Sequence, residues 1–81
     1  MKERIRKAKR ELYDAIGNFE QGFPDSWDED TRLSVMFEII AYYNNFEETM
    51  AWKKMTPEEC LEYAYQEIRS EIERSIEQYG S

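Results

Sequence analysis

Residues 56–79, TPEECLEYAYQEIRSEIERSIEQY, decide the fold, because the start, the apolar face and the end of one helix can all be read from them. Thr56 is a good N-cap and Pro57 suits the first helical position. Glu59, three residues after the cap, completes a capping box. Leu61, Tyr65, Ile68, Ile72, Ile76 and Tyr79 then recur at spacings of three and four, which gathers them on one side of a helix predicted over 57–79. That side needs something to pack against. The other side carries Glu58, Glu62, Glu67, Glu71, Glu73 and Glu77 and belongs in water.

Only Met55 and Thr56 separate this helix from the apolar segment before it, so the two must run antiparallel. A helix over 27–53 is predicted there. Ser26 with Glu29 forms a second capping box, and Asp28, Glu29 and Asp30 supply the acidic first turn that a helix dipole favours. Leu33, Met36, Phe37, Ile39, Ile40, Tyr43, Phe46 and Met50 make an arc wider than one stripe, as a central helix flanked by two others requires. Lys53 and Lys54 suit its C-terminus. Asn44 and Asn45 are poor helix formers, and Asn45 with Glu48 could start a new helix. The spacing of Met36, Ile39, Tyr43, Phe46 and Met50 continues across them, which favours one helix. A kink or break near Asn44 would give a four-helix variant.

A first helix is predicted over 2–21, with Ile5, Ala8, Leu12, Ala15, Ile16 and Phe19 as its stripe, a Glu3–Lys7 pair one turn apart, and Gly22 and Pro24 as its stop. Gly17 costs about 1 kcal/mol against Ala inside a helix, and close approach of a neighbouring helix is the expected compensation. The three segments predict an all-α, three-helix up-down-up bundle forming a single domain over 1–81. A chain of 81 residues buries about 60 to 65 % of its unfolded surface, enough for an independent core of modest reserve.

Charge is unevenly placed. Residues 1–10 carry Lys2, Arg4, Arg6, Lys7, Lys9 and Arg10 against Glu3 alone, a net +5, so the total of −7 leaves −12 on the other 71 residues. The cations oppose the dipole of their own helix. An up-down-up course would set them beside Glu58, Glu59 and Glu62, whereas a four-helix course broken at Asn44 would make the first helix antiparallel to the last and bring Glu71, Glu73 and Glu77 to them. The single Cys60 excludes an internal disulfide, and no apolar run is long enough to span a bilayer, so a cytoplasmic location is expected.

Catalytic constellations are absent. There is no histidine to serve as general base, metal ligand or activator of a nucleophile, and no glycine-rich phosphate loop. Neither a cofactor nor a metal is expected, and the chain is not expected to be an enzyme. Asp28 and Asp30 lack the glycine and closing glutamate of a calcium loop, and a capped helix start explains them. Cys60 reads as a packing residue.

Aromatic residues carry the functional hint. Tyr13, Trp27, Tyr42, Trp52 and Tyr63 fall at or beyond the edges of the stripes, where a small bundle seals its seams or a protein interface concentrates its anchors. The leading expectation is a small acidic protein-binding module, an inhibitor or adaptor of the phage or mobile-element type. It would occupy a basic surface on a larger partner, such as a nucleic-acid-processing enzyme. The partner-binding candidates are Trp27, Asp28, Glu29, Asp30, Tyr42, Trp52, Tyr63, Glu67, Glu71, Glu73 and Glu77. Strict mimicry of nucleic acid fits less well, since Glu62 and Glu73 stand about 16 Å apart along the helix with Gln66, Arg69 and Ser70 between them. One alternative is a structural or regulatory homo-oligomer, with a homodimer the simplest form. Another is a nucleic-acid-binding regulator using Lys2, Arg4, Arg6, Lys7, Lys9 and Arg10.

Overall fold

A computed structural model describes residues 1–80 as four helices: α1 (Lys2–Gln21), α2 (Glu29–Asn44), α3 (Phe46–Lys53) and α4 (Pro57–Tyr79). No strand occurs among the described residues. The chain is a helical bundle in which α1 and α4 are parallel. Arg4 at the start of α1 pairs with Glu58 at the start of α4. Trp27, just past the end of α1, donates its indole N–H to the carbonyl of Gly80 beyond the end of α4, at 2.7 Å. α2 runs back against both.

The expected single helix over 27–53 is instead two, so the count of three helices is corrected to four. The break is one residue wide: Asn45 sits at φ −101°, ψ 16°, outside the helical well. The ladder of α2 ends on it and that of α3 begins from it: the Asn45 N–H bonds to the Ala41 carbonyl at 2.9 Å, and the Asn45 carbonyl accepts the Thr49 N–H at 2.8 Å. Only this one residue separates the two helices, and the apolar side continues past it. Phe46, immediately after it, is wholly buried. α1 and α4 are parallel despite the break, so Arg4 meets Glu58 and not the acids at the end of α4.

Asp28, and not Ser26, caps α2. Its Oδ1 accepts the Thr31 N–H at 2.8 Å, and that bond holds the Asp28 carboxyl below its usual range. The Trp27 N–H bonds to the Pro24 carbonyl at 3.1 Å, closing a turn that drops the indole into the core and delays the helix to Glu29. α3 ends in a Schellman motif, with Met55 N–H on Met50 O at 3.0 Å and Lys54 N–H on Ala51 O at 3.3 Å. Lys54 takes the left-handed conformation there, at φ 55°, ψ 47°, where glycine is the usual occupant. Met50 and Met55, the apolar pair that accompanies such a motif, both pack on the core.

α4 starts as expected: Thr56 Oγ1 accepts the Glu59 N–H at 3.1 Å and Glu59 Oε1 accepts the Thr56 N–H at 2.9 Å. Its buried seam differs from the large-residue stripe. The most buried positions are Pro57, Cys60, Ala64, Ile68 and Ser75, with Leu61, Tyr65, Ile72 and Ile76 packed along the sides and Tyr79 at the rim. Small residues at the centre let α1 and α2 approach, and larger ones close the flanks. The buried hydroxyl of Ser75 donates to the Glu71 carbonyl at 2.9 Å. Ala8, Leu12 and Ile16 of α1 and Val35 and Ile39 of α2 complete the core.

Gly17 lacks its expected compensation. A Cβ built there meets no atom within 4 Å beyond its own helix, so no neighbouring helix exploits the missing side chain.

Candidate functional site

α2 has two apolar sides. Val35, Ile39 and, past the kink, Phe46 face the core. Leu33 and Phe37 each lie two residues from Val35, about 200° around the helix from it. They are accordingly on the outside, with Phe37 73 % exposed and Leu33 50 % exposed. Assigning them to the buried arc is therefore corrected. Between them Met36 and Ile40 are partly buried, and the four side chains line a shallow, wholly apolar groove of about 210 Å³. One turn N-terminal to it begins the acidic start of α2, where Glu29 and Asp30 are exposed beside the capping Asp28.

A second depression adjoins this groove and is lined by Glu20, Trp27, Glu29, Arg32 and Leu33. The Arg32 guanidinium lies 6.0 Å from the Phe23 ring, and its Nη1 is out of solvent with no hydrogen-bond partner. That atom is a donor without an acceptor beside an exposed apolar ridge. Trp27 is not an edge residue. It is 5 % exposed, packed on Phe23 with ring centroids 5.1 Å apart and met edge-on by Tyr79 at 6.3 Å. It fastens the α1–α2 loop to the end of α4.

Trp52 is the most exposed aromatic, at 84 %, on α3 beside Glu48 and Thr49. Tyr63 is half-buried with the Lys53 ammonium 4.9 Å from its ring centre, and Tyr42 is half-buried between α2 and α4, where burial raises its hydroxyl pKa. These three lie apart from the Leu33–Phe37 ridge. Of the acids on α4, Glu73 and Glu77 are exposed and Glu67 is half-buried. Glu71 pairs with Arg74 one turn on and also faces Glu38 of α2. The hydrogen bond shared with Glu71, together with burial, raises the Glu38 carboxyl, while Glu71 is lowered by Glu38 and Arg74.

The cations of α1 divide between two sides. Arg4 spans to α4, its Nε 3.1 Å from Glu58 Oε2, and this bond holds the Glu58 carboxyl below its usual range. Glu59 and Glu62, expected as further partners, are taken up by the capping box and by Gln66 respectively. Glu3 pairs with Arg6 at 3.0 Å and not with Lys7. On the other side Lys2, Arg6, Lys9 and Arg10 line an open groove of about 710 Å³ with Tyr13, Tyr43 and Glu47. Lys9 meets Glu47 at 3.1 Å and lies 5.2 Å from the Tyr43 ring.

Cys60 is fully buried, its thiol 3.6 Å from the Phe46 carbonyl and its pKa raised by burial, which leaves it a packing group and a weak donor. Among the described residues no group of three or more candidate ligands could hold a metal ion. No helix among them is long and apolar enough to cross a membrane.

Periodicity on α2 could not tell its two apolar sides apart, since both recur at helical spacing. The available signal was Val35: a β-branched apolar residue opposite Leu33 and Phe37 shows that the helix carries more apolar surface than one interface can bury. Comparison of the chain with family models, curated proteins and solved structures returned no match.

Proposed function

We propose that this chain is a non-catalytic protein-binding module that docks on a larger partner through the outer face of α2. One observation carries the reading: Phe37, 73 % exposed, stands with Leu33 over an apolar groove next to an exposed acidic turn. Water gains nothing from a phenyl ring held in it, and a soluble domain this small has little reason to keep one there unless another surface covers it. Interfaces concentrate an aromatic anchor in an apolar centre and place charge at the rim. The partner that fits has an apolar recess for Phe37 and Leu33, bordered by basic residues for Glu29 and Asp30. A hydrogen-bond acceptor near the recess would satisfy the orphan Arg32 donor. Strong negative charge on the body would speed the encounter with such a basic surface at low salt. An inhibitor or adaptor encoded by a phage or mobile element, acting on a nucleic-acid-processing enzyme, has these requirements.

The test is capture of partners from a host extract by the immobilised chain, repeated with Phe37→Ala and with Leu33→Asp. A partner bound by the parent chain should be lost from Phe37→Ala, with affinity falling about 30-fold or more for loss of an aromatic anchor. Equal capture by both variants would overturn the reading. Light scattering on the isolated chain supplies the second arm. A dimer that Phe37→Ala dissociates would assign the face to a second copy of this chain instead.

A further inference from the structure

The groove on the other side of α1 makes a demand that the α2 reading leaves unanswered. Lys2, Arg6 and Lys9/Arg10 follow one another every three to four residues, about 6 Å apart along the axis, and open onto one channel. Lys9 is already engaged by Glu47 and the Tyr43 ring. Its role is to hold that wall. Lys2 and Arg10 make no ion pair among the described residues. Arg6 meets only Glu3, an exposed pair that salt screens and that a stronger anion can displace.

At the far end of the channel Tyr13 is 60 % exposed, and Tyr43 meets it edge-on, with centroids 5.6 Å apart at 64°. That contact fixes the tilt of an aromatic ring that is otherwise in solvent. The channel also contains Asp14 and Glu47, so it is not uniformly positive. Its length, from Lys2 to Tyr13, is about 16 Å along the axis.

We infer that this groove binds a short stretch of single-stranded nucleic acid, with Lys2, Arg6 and Arg10 on successive phosphates and a base stacked on Tyr13. The combination of a cationic track with an exposed aromatic ring is how single strands are held without reading sequence. A duplex fits poorly. It is rigid, and the −12 carried by the rest of the chain would face it wherever it extended beyond the groove. A single strand can be confined to the channel. An acidic protein segment would satisfy the cations and leave the Tyr13 face unused, and that difference separates the two occupants experimentally.

Binding of a fluorescein-labelled oligothymidylate, followed by anisotropy at low salt, is the direct measurement. With about three phosphates engaged, the logarithm of affinity should fall against the logarithm of salt concentration with a slope near −2. Tyr13→Ala should weaken binding by about 5-fold or more, the loss of one stacked base, while Tyr13→Phe should retain it. The triple variant Lys2→Gln, Arg6→Gln, Arg10→Gln should abolish it, and polyglutamate should compete poorly. Phe37→Ala should leave it unchanged, so failure here and failure of the protein-docking reading are separately visible. Circular dichroism of each variant shows whether the bundle is intact. The inference is overturned if the parent chain does not bind the oligonucleotide. It is equally overturned if Tyr13→Ala binds as well as the parent and polyglutamate competes at matched charge, which would assign the groove to acidic protein segments.

Discussion

α4 and α2 both carry apolar residues at helical spacing, and they use them in opposite ways. On α4 the groups facing inward are packed and those facing outward are charged, so one stripe accounts for the helix. On α2 the stripe is doubled: Val35 and Ile39 are buried, while Leu33 and Phe37 are held in water on the reverse side. A helix whose apolar surface matches its neighbours is explained by the fold alone. A helix with apolar surface left over is not explained by the fold alone, and on the proposed function that surplus is where the partner docks.

The difference can be tested first where it should be largest. Phe46→Ala should cost about 3 to 5 kcal/mol, because the ring is wholly buried beneath the kink and the cavity it leaves can collapse only in part. Phe37→Ala, the same substitution on the reverse side, should change stability by no more than about 0.5 kcal/mol. Urea denaturation of the two variants measures both numbers. Comparable losses would mean that Phe37 belongs to the core and that α2 has one apolar face only.

Two smaller effects probe the frame that sets these faces. Gly17→Ala should stabilise the chain by about 1 kcal/mol, since the added methyl meets nothing and the helical backbone becomes easier to order. A loss of stability would show that α1 is approached there by another helix after all. Lys54→Gly should also stabilise, by about 1 kcal/mol, since a non-glycine residue at φ 55° pays a steric penalty that glycine avoids. Both are read as shifts in the denaturation midpoint at constant slope.

How much of this was legible in the residues follows from how local each determinant is. The Thr56–Glu59 box and the turn at Met55 depend on neighbours in sequence, and both were readable, whereas the course of α1 against α4 hung on whether the middle helix broke. Asn45 was recognised as a weak point, but whether two asparagines bend a helix depends on what Phe46 gains by turning inward, which is a tertiary matter. The same holds for Trp27. Its amphipathic ring and acidic neighbours suggest an edge, and only the Gly80 carbonyl at the end of α4 explains why it is buried. Of the central seam of α4, Cys60 and Ile68 were read as packing residues, while Ala64 and Ser75 were missed because they are not large apolar residues. The outer face of α2 was missed for the converse reason, since Leu33 and Phe37 are.

The smallest predicted effect lies where the two compared helices meet in carboxylates. Glu38 of α2 faces Glu71 of α4: Glu71, beside Glu38 and paired with Arg74, is held low, while Glu38 is pushed up. The hydrogen bond to Glu71 and partial burial raise the Glu38 pKa above its usual 4.5. A carboxyl raised on folding contributes stability that is present at acid pH and lost as pH rises through its folded value. Deprotonating Glu38 places a second negative charge beside Glu71, with Arg74 offsetting part of the repulsion. Glu38→Gln keeps a hydrogen-bond donor toward Glu71 and removes the charge. The variant should therefore be more stable than the parent at about pH 7 by a few tenths of a kcal/mol, the scale to which solvent reduces such exposed pairs. That advantage should vanish below the usual 4.5, where the parent carboxyl is itself protonated. Only the difference between the two chains is diagnostic, because Asp28 and Glu58, both held low, weaken parent and variant alike on acidification. A difference that is flat across this range would mean that Glu38 and Glu71 do not share a proton, and that α2 and α4 meet through their apolar seam alone.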